Sequence, residues 1–309
     1  MQLVSKTISV DPLGRGGFRS IQAAINSVPS NNKIWIQINI GRGVYREKVK
    51  IPSDKPYIYL KGAGMTNTVI EWNDHGSIDT SPTFDSQAHH TIARGIKFVN
   101  SYNSPPNGNR NPVERAVAAR IQGDKSALYE CGFFGLQDTL WDVEGRHYYK
   151  NCMIEGAIDF IFGTAQSLYE GCSISVAAGG LKGSKGYITA QGRVNPGDSN
   201  GFVFKQCKIF GSGQAFLGRP WRNYARVVFY ETQMSEVVVP QGWYIWNSGG
   251  HEGQLTLSEY NSHGQGANIR ERVEWAKNLT AKEANTLASV SFIDEEGSWM
   301  NQVLSIFDA

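Results

Sequence analysis

Two aspartates in this chain of 309 residues are spaced as a two-acid catalytic site would require. Asp138 lies in the segment LQDTLW, and Asp159 lies in GAIDFIFG, one step of roughly 20 residues further along. If the chain repeats with that step, the two side chains lie on neighbouring stacked strands, roughly 5 Å apart. Carboxyl groups at that separation can divide the roles of nucleophile and general acid/base. The spacing therefore predicts an enzyme.

A second pattern with the same step supports a coiled repeat. Three segments place an aromatic residue shortly before a cysteine and a large apolar residue two positions after it. The cysteines are Cys131, Cys152 and Cys172, at nearly equal steps. A fixed period near twenty in a strand-like pattern is typical of a solenoid whose turns stack on one another. The same register is expected at Cys207 and, one coil later, at Met234.

Helical patterns occur only near the two ends of the chain. Ser20 is suited to cap a helix that Pro29 ends, and Thr280 with Glu283 forms a capping-box sequence that opens another. Between them the apolar residues lean towards Val, Ile and Phe, and the chain has 34 glycines, which favours strands and turns. No Pro- or Ser-rich linker divides the chain. We predict one all-β domain over residues 1–309, with a short N-terminal helix and a C-terminal helical tail that covers the last coil or folds back along its side.

Two segments lack a strand pattern and are expected to project from the stack. One is residues 102–115. The other, residues 177–201, accounts for the longer step between Ile174 and Ile209. Their Gly, Asn, Pro and Lys content is typical of loops. Insertions in a solenoid often form the walls of its binding face.

Composition excludes several classes of protein. Hydrophobic residues make up 40% of the chain and charged residues 19%, which is a globular balance. The net charge of +2 gives no basic stripe for nucleic acid. No run of eighteen apolar residues predicts a membrane span. The six histidines show no metal-ligand spacing, so neither a metal nor a cofactor is predicted.

Seven short motifs, in order along nearly the whole chain, resemble the pectin methylesterase family. They are GVYRE (43–47), SPTF (81–84), LQDTLW (136–141), GAIDFIFG (156–163), YITAQGR (187–193), LGRPW (217–221) and GWYIW (242–246). The resemblance is to the plant forms without the amino-terminal inhibitor-like pro-region. It implies a right-handed parallel β-helix that hydrolyses the methyl esters of homogalacturonan to pectate and methanol.

The resemblance also implies where the protein works and what it meets. It is expected to be a secreted, monomeric, cell-wall protein that binds methylated homogalacturonan and needs no cofactor. A proteinaceous pectinesterase inhibitor is a further candidate partner. The sequence starts without an apolar segment of signal-peptide length.

Site roles follow from the motifs that match. The resemblance makes Asp159 the nucleophile, Asp138 the general acid/base, Gln137 an oxyanion donor and Arg219 the group that orients the nucleophile. It places further residues in the substrate cleft: Trp221, Arg115, Thr83, Phe160 and Trp243. Since Gln137 and Asp138 are adjacent and both must face the substrate, we expect a bend of the strand between them.

Arg115 is a departure from the family pattern. The family usually has Gln-Ala-Val-Ala where this chain has Arg-Ala-Val-Ala, so a guanidinium replaces a second oxyanion amide at Arg115. A guanidinium can still donate hydrogen bonds. Its positive charge would favour the ionised form of Asp138 and weaken that residue as an acid.

Two other functions and one structural alternative stay open from the sequence. A β-helix with paired acids could instead be a glycosidase or lyase of the same polymer. The change at Arg115 could mark a catalytically impaired, pectin-binding relative. The cysteine ladder could hold free thiols or one bridge, with Cys152 and Cys172 as the favoured pair.

Overall fold

The computed structural model describes residues 4–104 and 112–307, which wind as a coil of short strands. In chain order the strands are β1 (Val4–Val10), β2 (Trp35–Ile40), β3 (Gly43–Tyr45), β4 (Val49–Ile51), β5 (Ile58–Gly62), β6 (Thr68–Trp72), β7 (Phe84–Ser86), β8 (Thr91–Arg94), β9 (Lys97–Asn100), β10 (Ala119–Ile121), β11 (Ser126–Tyr129), β12 (Gly132–Phe134), β13 (Leu140–Asp142), β14 (Arg146–Lys150), β15 (Met153–Gly156), β16 (Ile158–Gly163), β17 (Gln166–Glu170), β18 (Ser173–Ala177), β19 (Gly186–Gln191), β20 (Gly201–Lys205), β21 (Lys208–Ser212), β22 (Ala215–Gly218), β23 (Arg226–Tyr230), β24 (Gln233–Met234) and β25 (Thr256–Tyr260).

Successive coils pair in parallel and build three sheets along the coil axis. Sheet A has ten strands in the order β1-β2-β5-β8-β11-β14-β17-β20-β23-β25. Sheet B has eight, β24-β21-β18-β15-β12-β9-β6-β3, and sheet C has seven, β22-β19-β16-β13-β10-β7-β4. Each full coil contributes one strand to each sheet, as β11, β12 and β13 do. The predicted parallel β-helix is confirmed.

The register between coils has the predicted step. Phe133 pairs with Ile154 in sheet B, and Leu140 pairs with Ile161 in sheet C, the same step that separates Asp138 from Asp159. Met234 pairs with Ile209, as the sequence pattern indicated. A side chain therefore lies directly above its counterpart one coil away.

A left-handed residue makes the bend from sheet A to sheet B in several coils. Glu130, Asn151, Gly171, Gln206 and Glu231 have φ of 53°, 52°, 63°, 52° and 49°. For a residue other than glycine this conformation costs about 1–2 kcal/mol. Each bend directly precedes an inward-facing Cys or Thr, so the same local geometry recurs from coil to coil.

The interior is filled by columns of like side chains. The rings of Tyr149, Tyr169, Phe204 and Phe229 stack along the axis, with centroids 4.4, 4.5 and 4.6 Å apart. These four rings are fully buried. Offset stacking of aromatic rings adds to the free energy gained by burying them, so the column stabilises neighbouring coils against one another.

The cysteine ladder carries no bridge, so of the two alternatives that the sequence left open, the free thiols are found and the bridge between Cys152 and Cys172 is not. Both are buried free thiols, as are Cys131 and Cys207. The Cys152 Sγ donates to the Leu128 carbonyl oxygen at 3.3 Å. Stacked strands keep equivalent Cβ atoms about 4.8 Å apart, whereas a disulfide draws them to about 3.8 Å. A bridge would therefore need the two coils to draw together locally, and the thiols instead donate to backbone carbonyl oxygens.

The N-terminal helix α1 (Ile21–Asn26) closes the first coil. Its N-cap is Ser20, as predicted, whose hydroxyl oxygen accepts from the Ala23 N–H at 3.2 Å. The Glu47 carboxylate binds the same helix end, accepting from the N–H groups of Ile21 and Gln22 at 2.8 and 3.0 Å. Free N–H groups at a helix start are thereby satisfied.

The C-terminal tail folds back along the outside of sheet A. Helix α2 (Ala281–Leu287) opens with the predicted Thr280–Glu283 capping box. Helix α3 (Trp299–Phe307) buries Trp299 and Val303 in a cluster with apolar side chains of sheet A. Short 3₁₀ turns occupy Ala178–Leu181, Glu252–Gln254, Gln265–Ala267, Ile269–Glu271 and Val290–Phe292.

The two expected loops have different outcomes. Within 177–201, the segment Gly186–Gln191 is strand β19 of sheet C, between β22 and β16, so the loop interpretation is wrong for that part. The Gly- and Lys-rich turn before β19 made the strand pattern of its residues hard to recognise in the sequence. The loop expected at 102–115 lies in part outside the described residues.

The thiol state gives a direct check of the ladder. We expect four thiols to react with a thiol-specific reagent in the denatured, unreduced protein, and slow reaction in the native protein because all four are buried. A mildly oxidised sample is the control. Two reactive thiols in the unreduced denatured protein would contradict the ladder of free cysteines.

Candidate active site

A cavity of about 310 Å³ lies on the outer face of sheet C. Its walls come from several coils, which the register brings side by side. The lining residues are Ile78, Arg115, Gln137, Asp138, Asp159, Phe162, Ala190, Arg219, Trp221 and Trp246. The structure therefore brings together six of the nine site residues predicted from sequence.

The two aspartates face the cavity because the backbone bends at both. Gln137 pairs with Ile158, and Leu140 pairs with Ile161, so Asp138 and Asp159 occupy the same place in successive coils. Both are left-handed, with φ of 58° and 47°. The expected bend between Gln137 and Asp138 is confirmed. Asp adopts this conformation more readily than most residues, and strained residues of this kind cluster at functional sites.

Gly156 makes the bend at Asp159 possible. A Cβ at Gly156 would lie 2.2 Å from the Phe160 Cβ, which is too close for any other residue. The chain curls back here, and the register of β16 against β19 shifts between Ile158 and Ile161. As a result Phe160 points into the core and Asp159 points out.

Arg219 donates two hydrogen bonds to the Asp159 carboxylate. Its Nε donates to Oδ1 at 2.8 Å, and its other guanidinium nitrogen donates to Oδ2 at 2.6 Å. The guanidinium carbon lies 3.9 Å from the ring centres of both Tyr187 and Trp246. Two-point pairing and aromatic stacking fix the planes of both groups. The carboxylate is thereby aimed into the cavity.

Burial has the largest effect on the pKa of both acids. It raises the pKa of Asp138 to about 7, with the Asp159 charge adding to the shift and Arg115 and Arg219 opposing it. Burial also raises the pKa of Asp159, and the Arg219 hydrogen bonds counter this. Removal of the Asp159 carboxyl from water thus outweighs its pairing with Arg219. Asp138 is therefore the acid that stays protonated up to about neutral pH.

Gln137 and Arg115 form a donor column beside the acids. Arg115 is bridged to Gln137, and Gln137 to Ile158, so the three lie on successive coils. The Gln137 side chain is half-buried and, among the described residues, receives and donates no hydrogen bond. Its amide is therefore open to a ligand in the cavity.

Three predicted cleft residues are core residues instead. Thr83 is fully buried and donates its hydroxyl to the Val99 carbonyl oxygen at 3.0 Å. Phe160 is fully buried by the bend at Asp159, and Trp243 is 1% exposed and lies 6.0 Å from the Phe229 ring. None of the three lines the cavity, so their prediction as substrate contacts is wrong. Residues that flank a motif alternate between outside and core, and the sequence does not show which.

Trp221 does line the cavity, where its ring lies edge-on to Phe162, 6.2 Å away. Sequence reasoning missed Phe162 and Tyr187 and assigned no role to Trp246. Phe162 could not be found by alternation, since it lies two residues beyond the inward Phe160 and a regular strand would turn it inwards too, whereas Ile161 takes the core side here. Tyr187 could not, because the irregular turn before β19 breaks the regular count from coil to coil.

No group of three or more His, Cys, Asp or Glu side chains in the described part of the chain is arranged to hold a metal ion. Within residues 4–104 and 112–307, every helix is too short or too polar to cross a bilayer. The cavity itself is lined by two acids, two arginines and an amide.

Comparison with known proteins decides the family. The Pectinesterase family model matches residues 7–296. The chain belongs to the pectinesterase family. A probable pectinesterase 29 of Arabidopsis thaliana is 54% identical over 96% of this chain and 89% of its own length. Pectinesterase 1 of Olea europaea is 37% identical over 96% and 80%.

Solved structures of the family share the fold. A pectin methylesterase from carrot superposes with a TM-score of 0.88 and 30% identity, covering 96% of this chain and 95% of that one. One from Aspergillus niger gives a TM-score of 0.82 and 27% identity, covering 96% of both chains. The right-handed parallel β-helix is thereby confirmed, and the protein is a carboxylic ester hydrolase by family.

Arg115→Gln tests the electrostatics at Asp138. Removing a nearby positive charge raises the pKa of a carboxyl group, and Arg115 is the larger of the two effects that lower the pKa of Asp138. A general acid works while it is protonated, so the alkaline limb of the pH–rate profile should move to higher pH. The profile of methyl-ester hydrolysis, compared with that of wild type, is the measurement. An unmoved limb would place the guanidinium too far from Asp138 to act on it.

The two tryptophans of GWYIW should respond differently to truncation. Trp243→Ala should lower the free energy of unfolding by about 3–5 kcal/mol, since it empties a core site. Trp246→Ala should lower the rate of hydrolysis strongly and the free energy of unfolding only a little, because it removes one of the two aromatic rings that stack on the Arg219 guanidinium. Thermal unfolding and initial rates of both variants check this. Equal stability losses with unchanged rates in Trp246→Ala would contradict the assignment.

Proposed function

We propose that the protein hydrolyses the methyl esters of homogalacturonan, releasing methanol and leaving pectate, by an aspartyl-esterase mechanism. The observation that carries the proposal is that the two acids have different environments. Asp159 accepts two hydrogen bonds from Arg219, and Asp138, on the adjacent coil, has a pKa of about 7 and stays protonated below that pH. One acid is ready to attack while the other is ready to give a proton. Pectin methylesterases from carrot and Aspergillus niger share the fold.

In the first step, an Asp159 oxygen attacks the ester carbon. The carbonyl oxygen becomes an oxyanion, and the Gln137 amide, open to the cavity, is placed to donate to it. As the intermediate collapses, the bond from carbon to the methoxy oxygen breaks and Asp138 gives its proton to that oxygen. Methanol leaves, and an anhydride joins Asp159 to the sugar carboxyl.

In the second step, the ionised Asp138 takes a proton from water. The resulting hydroxide attacks the sugar acyl carbon, and the bond to Asp159 breaks. The sugar carboxyl is released, Asp159 regains its charge beside Arg219, and Asp138 is protonated again. The cycle needs Asp138 to alternate between its two forms, and a pKa of about 7 favours that near neutral pH.

Cleavage of the polymer chain is the rival reaction. Retaining glycosidases also use two carboxyl groups about 5 Å apart, so the separation alone does not discriminate. Membership of the pectinesterase family favours the ester as the bond that breaks. The products separate the two reactions: an esterase releases methanol and leaves chain length unchanged, whereas chain cleavage lowers viscosity and makes new ends.

A binding protein without turnover is the other rival, motivated by Arg115. Among the described residues, both acids, Arg219 and Gln137 line the same cavity, which supports an active enzyme. A role in modifying the cell wall outside the cell belongs to this proposal and rests on the plant pectinesterases that the chain resembles. Monomeric action and binding of an inhibitor protein stay predictions.

Asp159→Asn and Asp138→Asn test the two-acid mechanism. Each should lower methanol release from methylated pectin by at least about a hundredfold, because an amide neither attacks nor exchanges a proton. Asn also tolerates the left-handed backbone of both positions, so folding should be kept. The matched control is Asp54→Asn, on the exposed surface outside the cavity. Wild-type rates in either active-site variant would end the assignment.

A further inference from the structure

The segment that joins the last coil to the C-terminal tail contains an acceptor sequence for N-linked glycosylation. It is Asn278-Leu279-Thr280, the one Asn-X-Ser/Thr sequence of the chain in which X is not proline. Before it, the Lys277 N–H donates to the Leu257 carbonyl oxygen of β25 at 2.8 Å. At its end, Thr280 is the N-cap of α2. Residues 277–280, which we call the junction, are therefore anchored at both ends.

The Asn278 side chain is exposed while the side chain that follows it is packed. Leu279 is half-buried and packs against the apolar cluster between the tail and sheet A, which includes Trp299. In the part of the chain that the structure describes, no hydrogen bond or ion pair engages the Asn278 side chain. A bulky substituent on its amide nitrogen would therefore displace no packed or hydrogen-bonded group.

The fold places the junction on a different face from the cavity. The tail that follows Asn278 runs along the outside of sheet A, where the Tyr230 hydroxyl donates to the Asn285 Oδ1 at 2.8 Å. The cavity lies on the outer face of sheet C. An oligosaccharide on Asn278 would thus leave the cavity open.

We propose that Asn278 carries an N-linked oligosaccharide, which shields the junction from proteases. The donor is an oligosaccharide joined to a lipid through a diphosphate. The Asn278 Nδ2 forms a bond to the first sugar carbon and loses one proton, while the bond from that carbon to the diphosphate oxygen breaks and the lipid diphosphate leaves. The inference rests on the location outside the cell that belongs to the proposed function, but not on hydrolysis.

The junction is a place where a protease finds exposed backbone. Residues 277–280 form neither helix nor strand, and the Lys277 side chain is exposed. Exposed segments of this kind are preferred sites of proteolytic cleavage. A cut there would separate the coil from the tail, whose Trp299 and Val303 are buried against sheet A. Because a glycan is bulky and hydrophilic, one attached next to Lys277 would obstruct a protease at this point.

The Thr280 hydroxyl has two roles that substitutions can separate. It completes the acceptor sequence, and it caps α2 by donating to the Glu283 Oε2 at 2.7 Å and accepting from the Glu283 N–H at 3.3 Å. Thr280→Ser keeps both roles. Thr280→Asn ends the acceptor sequence but keeps a side-chain oxygen that caps a helix well. Asn278→Gln ends the acceptor sequence and leaves the cap untouched.

The test uses the full chain, secreted by plant cells behind a cleavable leader. A peptide-N-glycosidase acting in heavy-oxygen water should remove one oligosaccharide from wild type and convert Asn278 to Asp with the heavy isotope, as detected by mass spectrometry of its peptides. Thr280→Ser should keep the oligosaccharide, whereas Thr280→Asn and Asn278→Gln should lack it. All four proteins should hydrolyse methylated pectin at the same rate, because the junction and the cavity lie on different faces.

Limited digestion with trypsin tests the shielding. Cleavage after Lys277 should be severalfold faster in enzymatically deglycosylated wild type and in Asn278→Gln than in the glycosylated protein. Lys182, in the exposed turn before β19, is the internal control. Cleavage after Lys182 should proceed at the same rate in all three samples.

The failures are distinguishable. Secreted wild type with an unmodified Asn278 would overturn the inference. A modified Asn278 with equal cleavage after Lys277 before and after removal of the oligosaccharide would overturn the shielding role. Glycosylated wild type that releases no methanol from methylated pectin would overturn the proposed function and leave the modification standing.

Discussion

Hydrogen bonding between successive coils, parallel and in register, is the constraint on which the rest of the structure depends. One repeated step along the chain places each side chain over its counterpart in the next coil, as Phe133 lies over Ile154. The same rule that stacks the core rings also sets Asp138 beside Asp159. The candidate active site is therefore a column of the repeat whose outward-facing polar residues line one cavity.

What distinguishes the functional column is its backbone. Asp138 and Asp159 are both left-handed, and Gly156 gives Phe160 room to turn inwards. These bends cost conformational energy that a regular strand would not. They are held because the flanking pairs, such as Leu140 with Ile161, remain in register on the far side. The irregular residues present the acids, and the regular ones keep the spacing.

The sequence predicted the fold and the central acids because both depend on a period that can be counted. Asp138, Asp159 and Arg219 were assigned from spacing and motif, and the structure brings them to one cavity. Residues that contact the substrate were harder to predict from the sequence, because local bends decide whether a side chain faces the cavity or the core. Thr83 and Phe160 sit inside motifs that match the family but point inwards.

The disulfide shows a different limit. Counting residues placed Cys152 and Cys172 correctly one coil apart, but the decision between thiol and bridge depends on about 1 Å between Cβ atoms. Residue spacing cannot resolve that difference. Likewise, the direction in which the pKa of Asp159 shifts depends on how deeply the side chain is buried, which only coordinates give.

Arg219 reaches Asp159 from a coil two strands away in sheet C, and the sandwich around it uses Tyr187 and Trp246 from still other segments. In a solenoid each coil touches mainly its neighbours, so such chains can fray from one end while the remainder stays folded. Here fraying from the C-terminal side would release the arginine before it disturbed the strands that carry the acids. Hydrolytic activity would then be lost before most of the secondary structure unfolds. Activity would therefore indicate how far unfolding has proceeded along the coil.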